Sequence, residues 1–323
     1  MPISYRFLRP ESFPEVHHTF VGAFADYAVD MSYLSEGRLL NRAIKNGVDF
    51  ESSVGAYDGG EMVGFTLVGL DHRRCIFSAF DIATGVVPSH QGRGIARQML
   101  SQVLPHLQGA GVERFILEVI QENEPAIRAY QATGFEILRE LDCYELSLDE
   151  EARAATGKRL AGGGIASTVT ARGSLISYPP ASPLPEVPMR AKICEVSRDL
   201  LPQLEEALDW QPSWENSISS ILRIPDEVVV RAASAREGAP DRLAGAGVYY
   251  PALNWILCLV VRPSCRRQGL GTVLMRDLIE HISVDVPSVR ILNIDRRDDG
   301  MNAFLAGIGF KVYVSQYEME LVL

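Results

Sequence analysis

A glycine-rich stretch is the first part of the sequence that could do chemistry. It follows a strand-like apolar run and precedes an amphipathic helical pattern. Glycines remove side-chain bulk, so backbone N–H groups can point into a concavity, and a helix start adds unpaired N–H donors and the positive end of a dipole. The stretch therefore predicts a phosphate or pyrophosphate site, although a ligand-free strand-to-helix turn is the simpler alternative. Its residues are Gln91, Gly92, Arg93, Gly94, Ile95 and Ala96.

The same stretch occurs a second time. Residues 86–96 read VVPSHQGRGIA and residues 261–271 read VRPSCRRQGLG, an offset of 175 positions (261 − 86). The offset then holds without a gap, so that Gly134-Phe135 falls on Gly309-Phe310. Shared spacing over this length indicates an internal duplication. The second set of candidate phosphate-binding residues is Arg266, Arg267, Gln268, Gly269, Leu270 and Gly271.

Both copies predict the same order of elements. A hairpin and a strand precede each loop, and apolar residues every four positions indicate a helix after it. A further strand, a short helix ending at Gly134 or Gly309, and a last strand complete each copy. Strands alternating with helices indicate an α/β class with mixed pairing. In the first copy the predicted strands are 54–57, 62–70, 76–87, 114–119 and 143–146, and the helical stripe is Ile95, Met99, Val103 and Leu107. In the second copy the predicted strands are 228–232, 243–250, 255–261, 289–294 and 317–321, and the helical stripe is Leu270, Leu274, Leu278 and Ile282.

The combination of these pieces resembles the GNAT acyltransferases. The first copy has the glycine-rich loop after a strand and then a segment ending Tyr130-x-x-x-Gly134-Phe135. The resemblance implies two tandem domains, each a mixed, mostly antiparallel sheet flanked by helices. We expect a domain over 1–150, a Gly/Pro-rich linker over 151–188 with an edge strand within 165–178, and a second domain over 189–323.

The resemblance also implies roles for single residues. The loop would hold the pyrophosphate of acetyl-CoA, and the preceding strand would part from its neighbour and bind the pantetheine arm, with Val86 and Val87 among its contacts. Tyr130 falls where the family places the acid that protonates the leaving thiolate, with a core tyrosine as the alternative. Asn123 would contact the coenzyme, cap a helix, or do both. Glu118 is the candidate to relay the proton of the amine acceptor, and a half-exposed strand carboxylate is the alternative.

The second copy departs from this pattern at the chemical positions. The constant offset maps Tyr130 onto Leu305 and Glu118 onto Asn293. Leucine cannot donate a proton, so we expect the second copy to bind the coenzyme at most, with the chemistry in the first copy. Mycothiol synthase, a two-copy member of the same family, has its activity in the C-terminal copy, so that arrangement stays open.

The first helical region is the expected acceptor side. Aromatic residues and acids cluster there, which suits a cationic amine of a small molecule or peptide. The simpler interpretation for the phenylalanines is packing on the sheet. The second copy carries Trp210, Trp214 and Glu215 in the corresponding region. The cluster in the first copy comprises Phe20, Phe24, Asp26, Tyr27, Asp30, Met31, Tyr33, Leu34 and Glu36.

Composition and net charge count against several other classes of function. The 323 residues carry a net charge of −10, so composition shows no basic face for nucleic acid, although local basic clusters stay open, and the charge counts against a transferase that uses aminoacyl-tRNA. Five scattered cysteines argue against disulfides and a zinc site, so no metal is expected. We expect no signal peptide, no membrane span and a cytoplasmic location. A non-catalytic acetyl-CoA sensor and a homodimer remain open.

Overall fold

The computed structural model describes residues 2–160, 192–234 and 242–323, which form two compact units. Both units depart from the predicted domains at their last strands. Residues from Leu141 onward fall in the second unit, and the C-terminal eight residues fall in the first. Unit 1 contains Met1–Glu140, Arg223–Pro225 and Gln316–Leu323, and unit 2 contains Leu141–Leu222 and Asp226–Ser315.

The first half of the chain follows the predicted order of elements. Its 3-10 turns are Pro10–Ser12 and Pro88–His90. The helices and strands are β1 (Ser4–Phe7), α1 (Phe13–Ala23), α2 (Glu36–Lys45), β2 (Val48–Asp58), β3 (Glu61–Arg73), β4 (Ile76–Val86), α3 (Ile95–Gly109), β5 (Arg114–Ile120), α4 (Glu124–Gln131), β6 (Glu136–Ser147) and α5 (Glu150–Leu160).

The second half repeats that order after a short 3-10-rich start. Its 3-10 helices are Arg198–Ala207 and Pro263–Cys265. The helices and strands are β7 (Ile193–Glu195), α6 (Ile218–Leu222), β8 (Val229–Ser234), β9 (Leu243–Tyr250), β10 (Trp255–Val261), α7 (Leu270–His281), β11 (Ser288–Asp295), α8 (Asp299–Ile308) and β12 (Lys311–Val322).

Each unit contains a mixed, mostly antiparallel sheet, as predicted. In unit 1 the strand order is β1-β2-β3-β4-β5, followed by the end of β12. In unit 2 the order is the end of β6, then β11-β10-β9-β8-β7. The parallel pairs are β4 with β5 and β10 with β11, at equivalent places in the two units.

The last strand of each unit comes from the other half of the sequence. We predicted that 143–146 closes the first copy and 317–321 the second, and this assignment is wrong. Glu318 of β12 pairs with Glu118 of β5, and Tyr144 of β6 pairs with Ile291 of β11. Since the two halves share one pattern, either strand can satisfy either position, and Met319 is buried in the unit 1 core.

The predicted helical stripes form the two cores. Ile95, Met99, Val103 and Leu107 are all buried on α3. They pack with alternate residues of β5, namely Phe115, Leu117 and Val119. In unit 2, Leu270, Leu274 and Leu278 are buried on α7, and Ile282 is buried just beyond its end. The helical stripes are therefore confirmed, and the helix α3 continues through Pro105 to Gly109.

Two predictions about the middle of the chain have different outcomes. The expected linker, 151–188, begins instead within helix α5, which ends at Leu160. The strand expected within 165–178 lies outside the described residues.

Within the parts of the chain that the structure describes, no helix is long and apolar enough to cross a membrane. No cluster of histidine, cysteine, aspartate or glutamate side chains there could hold a metal ion.

Candidate active site

Strands β4 and β5 part in the middle of the unit 1 sheet. Their parallel pairing runs from Ser78 opposite Arg114 to Phe80 opposite Ile116 and ends there. Both strands continue, β4 to Val86 and β5 to Ile120. A gap therefore opens between them, as the resemblance predicted. An irregularity in the β3–β4 register leaves Ile82 as an extra residue at the mouth of the gap.

Val86, the last residue of β4, turns its backbone groups toward this gap. The N–H of Val87 donates to the carbonyl of Val63 on β3 at 3.0 Å. The Val87 N–H is therefore not aimed at the gap, and the coenzyme contact predicted for Val87 would have to use its other atoms. Backbone groups of neighbouring strand residues point to opposite edges, so those of Val86 face away from β3. The carbonyl of Val86 accepts from the Gln91 side-chain amide at 3.0 Å, which leaves its N–H as the group open to a ligand.

The glycine-rich loop has the backbone that the sequence predicted. Gly92 and Gly94 have φ of 72° and 75°, the left-handed region that favours glycine. Gly94 is the N-cap of α3, which begins at Ile95. A Cβ at either glycine would meet no atom within 4 Å, so the concave side of the loop is open. Arg93 is exposed beside it. These residues fit a pyrophosphate group.

Tyr130 lies in a hydrogen-bonded cluster with two residues that sequence reasoning missed. Its hydroxyl donates to Oδ2 of Asp81 at 3.1 Å. Thr84 donates to the same carboxylate, 3.0 Å from Oδ1 and 2.8 Å from Oδ2. The extra residue Ile82 lies between Asp81 and Thr84 and shifts the alternation of side chains along β4 by one position. Asp81 and Thr84 therefore share one face of the strand although they are three residues apart. Asp81 and Thr84 are the two polar residues in the stretch 79–86 of β4, and this was the signal that could have found them.

Burial shifts both ionisable groups of this cluster upward. Desolvation raises the pKa of Asp81 to about 6, although hydrogen bonds from Thr84 and Tyr130 act in the opposite direction. Desolvation, and then the nearby Asp81 charge, raises the pKa of Tyr130 well above its ordinary value. Tyr130 consequently stays protonated at neutral pH, which is the form that a proton donor requires.

Two more residues of unit 1 close the cluster from the helical side. The Asn123 side chain accepts from the N–H of Ala126 at 3.3 Å, so its predicted helix-capping role is confirmed. Asn123 also hydrogen-bonds to Tyr27, whose pKa is raised mainly by burial and slightly by the Asp81 charge.

The phenylalanines of the first helical region pack on the sheet, as the simpler interpretation had it. A Cβ on Gly85 would come within 2.9 Å of the Phe24 ring.

Glu118 lies on the opposite face of β5 from Tyr130. Leu117 and Val119 point into the core beneath α3 and α4, and strand alternation places Glu118 on the other side. There it shares a charged cluster with Arg73. Arg139 and Glu318 complete that cluster through two hydrogen bonds of 3.0 and 2.8 Å between their side chains. The two predicted catalytic residues are thus not in contact, but the β4–β5 gap opens to both faces.

Unit 2 repeats the gap and the loop. Pairing of β10 with β11 is confined to Trp255 opposite Arg290, and Leu257 is the extra residue corresponding to Ile82. Arg267 and Gly269 have φ of 59° and 81°, like Gly92 and Gly94. Arg266 donates to the Val261 carbonyl at 2.8 Å, as Gln91 does to Val86. Gln268 donates to the Ser264 carbonyl, Leu270 begins α7, and Gly271 follows it.

The polar cluster is absent from unit 2. The offset of 175 positions places Ile256, Leu259 and Leu305 where unit 1 has Asp81, Thr84 and Tyr130. Ile256 and Leu305 belong to one buried apolar cluster, and Leu259 packs against it. Asp298 keeps the helix-capping role of Asn123 by accepting from the N–H of Met301 at 3.0 Å. At these three positions unit 2 has only apolar side chains, while its loop and gap keep the geometry of unit 1.

Comparison with known proteins accounts for this repeated geometry. The family model described as the acetyltransferase (GNAT) family matches residues 12–135 and again residues 194–310. The chain belongs to the GNAT acetyltransferase family. Members of this family use acetyl-CoA as the acetyl donor. Both matched regions contain the parted strands and the glycine-rich loop.

Curated GNAT relatives match parts of the chain. The N-alpha-acetyltransferase RimI of Mycobacterium tuberculosis is 36% identical over 83 residues, 26% of this chain and 51% of that protein. The spermine/spermidine N(1)-acetyltransferase of Bacillus subtilis is 34% identical over 98 residues, 28% of this chain and 62% of that protein. The mycothiol acetyltransferase of Thermobifida fusca is 40% identical over 53 residues, 16% of each chain. The chain thus spans less than two thirds of the length of these relatives.

A solved tandem GNAT structure matches the whole chain. The tandem GNAT protein from the clavulanic acid biosynthesis pathway superimposes with a TM-score of 0.68 at 16% identity, covering 99% of this chain and 98% of that one. At this identity the likeness shows the fold. It agrees with the two regions matched by the family model.

Asp81 gives the site a measurable effect on stability. Because burial raises its folded-state pKa to about 6, above the unfolded value of about 3.9, the native state binds the extra proton between these values. Stability should therefore fall by about 2–3 kcal/mol as pH rises from 4 to 7. In chemical denaturation, the Asp81→Asn variant should not show this fall in stability with rising pH. Asp149→Asn is the control, because hydrogen bonds lower the pKa of exposed Asp149. If Asp81→Asn leaves the dependence of stability on pH unchanged, the pKa of Asp81 is not raised.

Proposed function

We propose that the protein is an N-acetyltransferase that moves the acetyl group of acetyl-CoA directly to a primary amine, with the chemistry in unit 1. One observation carries the proposal. The hydroxyl of Tyr130 is held at the parted strands of unit 1 by Asp81, whereas Leu305 occupies the same place in unit 2. Only one of the two copies has a proton donor at that position.

The binding part of the proposal rests on the loop and the gap. Gly92 and Gly94, with the first N–H groups of α3 from Ile95 and Ala96, would hold the pyrophosphate, and Arg93 would add charge. The N–H of Val86 faces the gap, where it can donate to the pantetheine arm or polarise the thioester carbonyl. Acetyl-CoA, when bound there, supplies an activated acetyl thioester.

Tyr130 acts on the sulfur side of the reaction. Attack by the amine nitrogen on the thioester carbon breaks the carbon–sulfur bond, and the sulfur leaves as a thiolate. Tyr130 gives its proton to that thiolate, Asp81 fixes the hydroxyl in position before the transfer, and the phenolate then regains a proton from solvent. Such positioned acid catalysis contributes roughly 10²- to 10⁴-fold to a rate.

Glu118 acts on the amine side. It lies on the other face of β5, two residues beyond the last β4–β5 pair, where the gap gives access to both faces. Its carboxylate would accept the amine's proton directly or through water. Burial lowers the pKa of Arg73, and the Coulombic interaction with Glu118 is among the smaller effects that act to raise it, so the two charged groups lie close to each other.

The acceptor class comes from the relatives and from the site. RimI is named for N-alpha-acetylation and the Bacillus subtilis relative for acetylation of spermine and spermidine, both amines. Direct transfer requires a neutral nitrogen and no covalent enzyme intermediate. We therefore propose a primary amine of a small molecule or a peptide as the acceptor.

Coenzyme-thiol release with matched acceptors tests this function. The panel contains spermidine, a short peptide with a free N-terminus, and the same peptide N-acetylated. We expect release of thiol with at least one free amine and none above background with the blocked peptide. Tight binding of acetyl-CoA without turnover across an extended amine panel would instead favour a non-catalytic sensor.

A second candidate places the active site in unit 2. It is favoured by the mycothiol acetyltransferase relative and by a cavity in unit 2. It requires a proton donor other than Leu305. Tyr249 is a poor one, because it is buried in the apolar cluster of unit 2 and is not among the residues that line the cavity. Activity that survives loss of the unit 1 loop would support this candidate.

A further inference from the structure

Unit 2 contains a cavity of about 350 Å³. It lies against the parted strands β10 and β11, the loop 266–271 and the first turns of α8. Ligand pockets of small molecules fall in this size range, and a cavity of about 150 Å³ already binds benzene. The cavity is therefore in the size range of small-molecule pockets, and it includes the groove beside the loop 266–271.

The wall of this cavity is mainly apolar. Ile256 and Leu259 face it at the positions where unit 1 has the polar residues Asp81 and Thr84. The change turns a polar reaction centre into an apolar lining. The other apolar lining residues include Leu257, Val260, Ile291, Ile294, Met301 and Phe304.

The mouth of the cavity carries the glycine-rich loop together with the ion pair of Arg266 and Asp209. Gly269 and Leu270 line it at the start of α7, and exposed Arg267 stands beside them. Arg266 also lines it and is held by Asp209 and by the carbonyls of Ala207 and Val261. One end thus offers N–H donors and positive charge, and the other offers apolar surface.

We propose that unit 2 binds a coenzyme A thioester whose acyl chain is longer than acetyl, and that it holds this thioester without transferring the acyl group. The phosphate end lies on the loop 266–271 and the acyl chain lies against Ile256 and Leu259. This goes beyond the proposed acetyl transfer, which concerns unit 1 and a different donor.

The groups near the cavity explain why the thioester is held intact. Leu305 has no proton to give a leaving thiolate. Asp295 accepts two hydrogen bonds from the Arg297 side chain at 2.9 and 2.8 Å, and Asp298 caps α8. Burial raises the pKa of the Cys258 thiol to about 12, so it stays neutral and does not attack the thioester.

Titration calorimetry of the full chain with octanoyl-CoA and acetyl-CoA tests the proposal. The measurement is made in Gly94→Trp, which closes the unit 1 loop and isolates unit 2. Octanoyl-CoA has six more carbons than acetyl-CoA, and each buried methylene is worth about fourfold in affinity. We expect octanoyl-CoA to bind at least about thirtyfold more tightly than acetyl-CoA, with no release of coenzyme thiol on incubation with amines.

Two variants in the same background locate the chain and the phosphate end. Leu259→Trp fills the cavity and should remove the octanoyl preference. Arg267→Glu, on the exposed loop, should weaken both thioesters by the same factor, and it keeps the test valid if Leu259→Trp does not fold. Equal affinity for the two thioesters, or turnover of octanoyl-CoA in Gly94→Trp, would overturn the proposal. Either result leaves the test of acetyl transfer in unit 1 unaffected.

Discussion

Replacing Tyr130 by phenylalanine should lower kcat for acetyl transfer by about 10²-fold or more and change acetyl-CoA affinity by less than about threefold. The hydroxyl donates only to Asp81 among the hydrogen bonds of the cluster and supports no strand pairing. Its loss therefore removes the proton given to the thiolate and leaves the loop 91–96 intact. The measurement is steady-state thiol release with a calorimetric titration of acetyl-CoA.

Tyr57→Phe is the matched control for that result. Tyr57 is a buried tyrosine of unit 1, and its hydroxyl, like that of Tyr130, donates to a carboxylate, here that of Glu15 at 3.4 Å. It lies on β2, away from the β4–β5 gap, so kcat should stay within about threefold of wild type. Equal losses in the two variants would mean that Tyr130 acts through packing alone.

Glu318→Gln should destabilise unit 1 by about 3 kcal/mol. The side chains of Arg139 and Glu318 are 6% and 3% exposed and form two hydrogen bonds, so the variant leaves the Arg139 charge buried without its full counter-charge. Chemical denaturation, followed by hydrogen exchange of the β5 amides, measures the loss in unit 1.

Glu320→Gln provides the control two residues along the same strand. Glu320 pairs with Arg114, whose side chain is 42% exposed, at 3.1 Å. Solvent screens such a pair, so we expect a cost below about 1 kcal/mol. Equal costs for Glu318→Gln and Glu320→Gln would contradict the difference in burial on which the prediction depends.

Most of the fold could be predicted because periodicity reports local structure. The four-residue apolar spacing from Ile95 to Leu107 placed α3, and the same spacing from Leu270 placed α7. The exchange of the last strands could not be predicted. Glu318 and Cys143 occupy equivalent positions in the repeat, and only long-range pairing decides which unit each joins.

The candidate site was predictable where it depends on backbone and less so where it depends on side chains. Glycine spacing located the loop at Gly92 and Gly94, because positive φ favours glycine. Asp81 was missed because a single acid in an apolar strand forms no repeating sequence pattern. Its partnership with Thr84 depends on the extra residue Ile82, which only strand register reveals.

Acetyl-transfer assays of Gly94→Trp beside Gly269→Trp test the central claim, that the chemistry lies in unit 1. The two glycines cap equivalent helices at φ of 75° and 81°, so the substitutions impose similar backbone strain. We expect Gly94→Trp to lose at least about 99% of wild-type turnover, the scale of a lost catalytic group, and Gly269→Trp to keep most of it. Loss of turnover in Gly269→Trp with full activity in Gly94→Trp would move the active site to unit 2 and contradict the assignment of Tyr130.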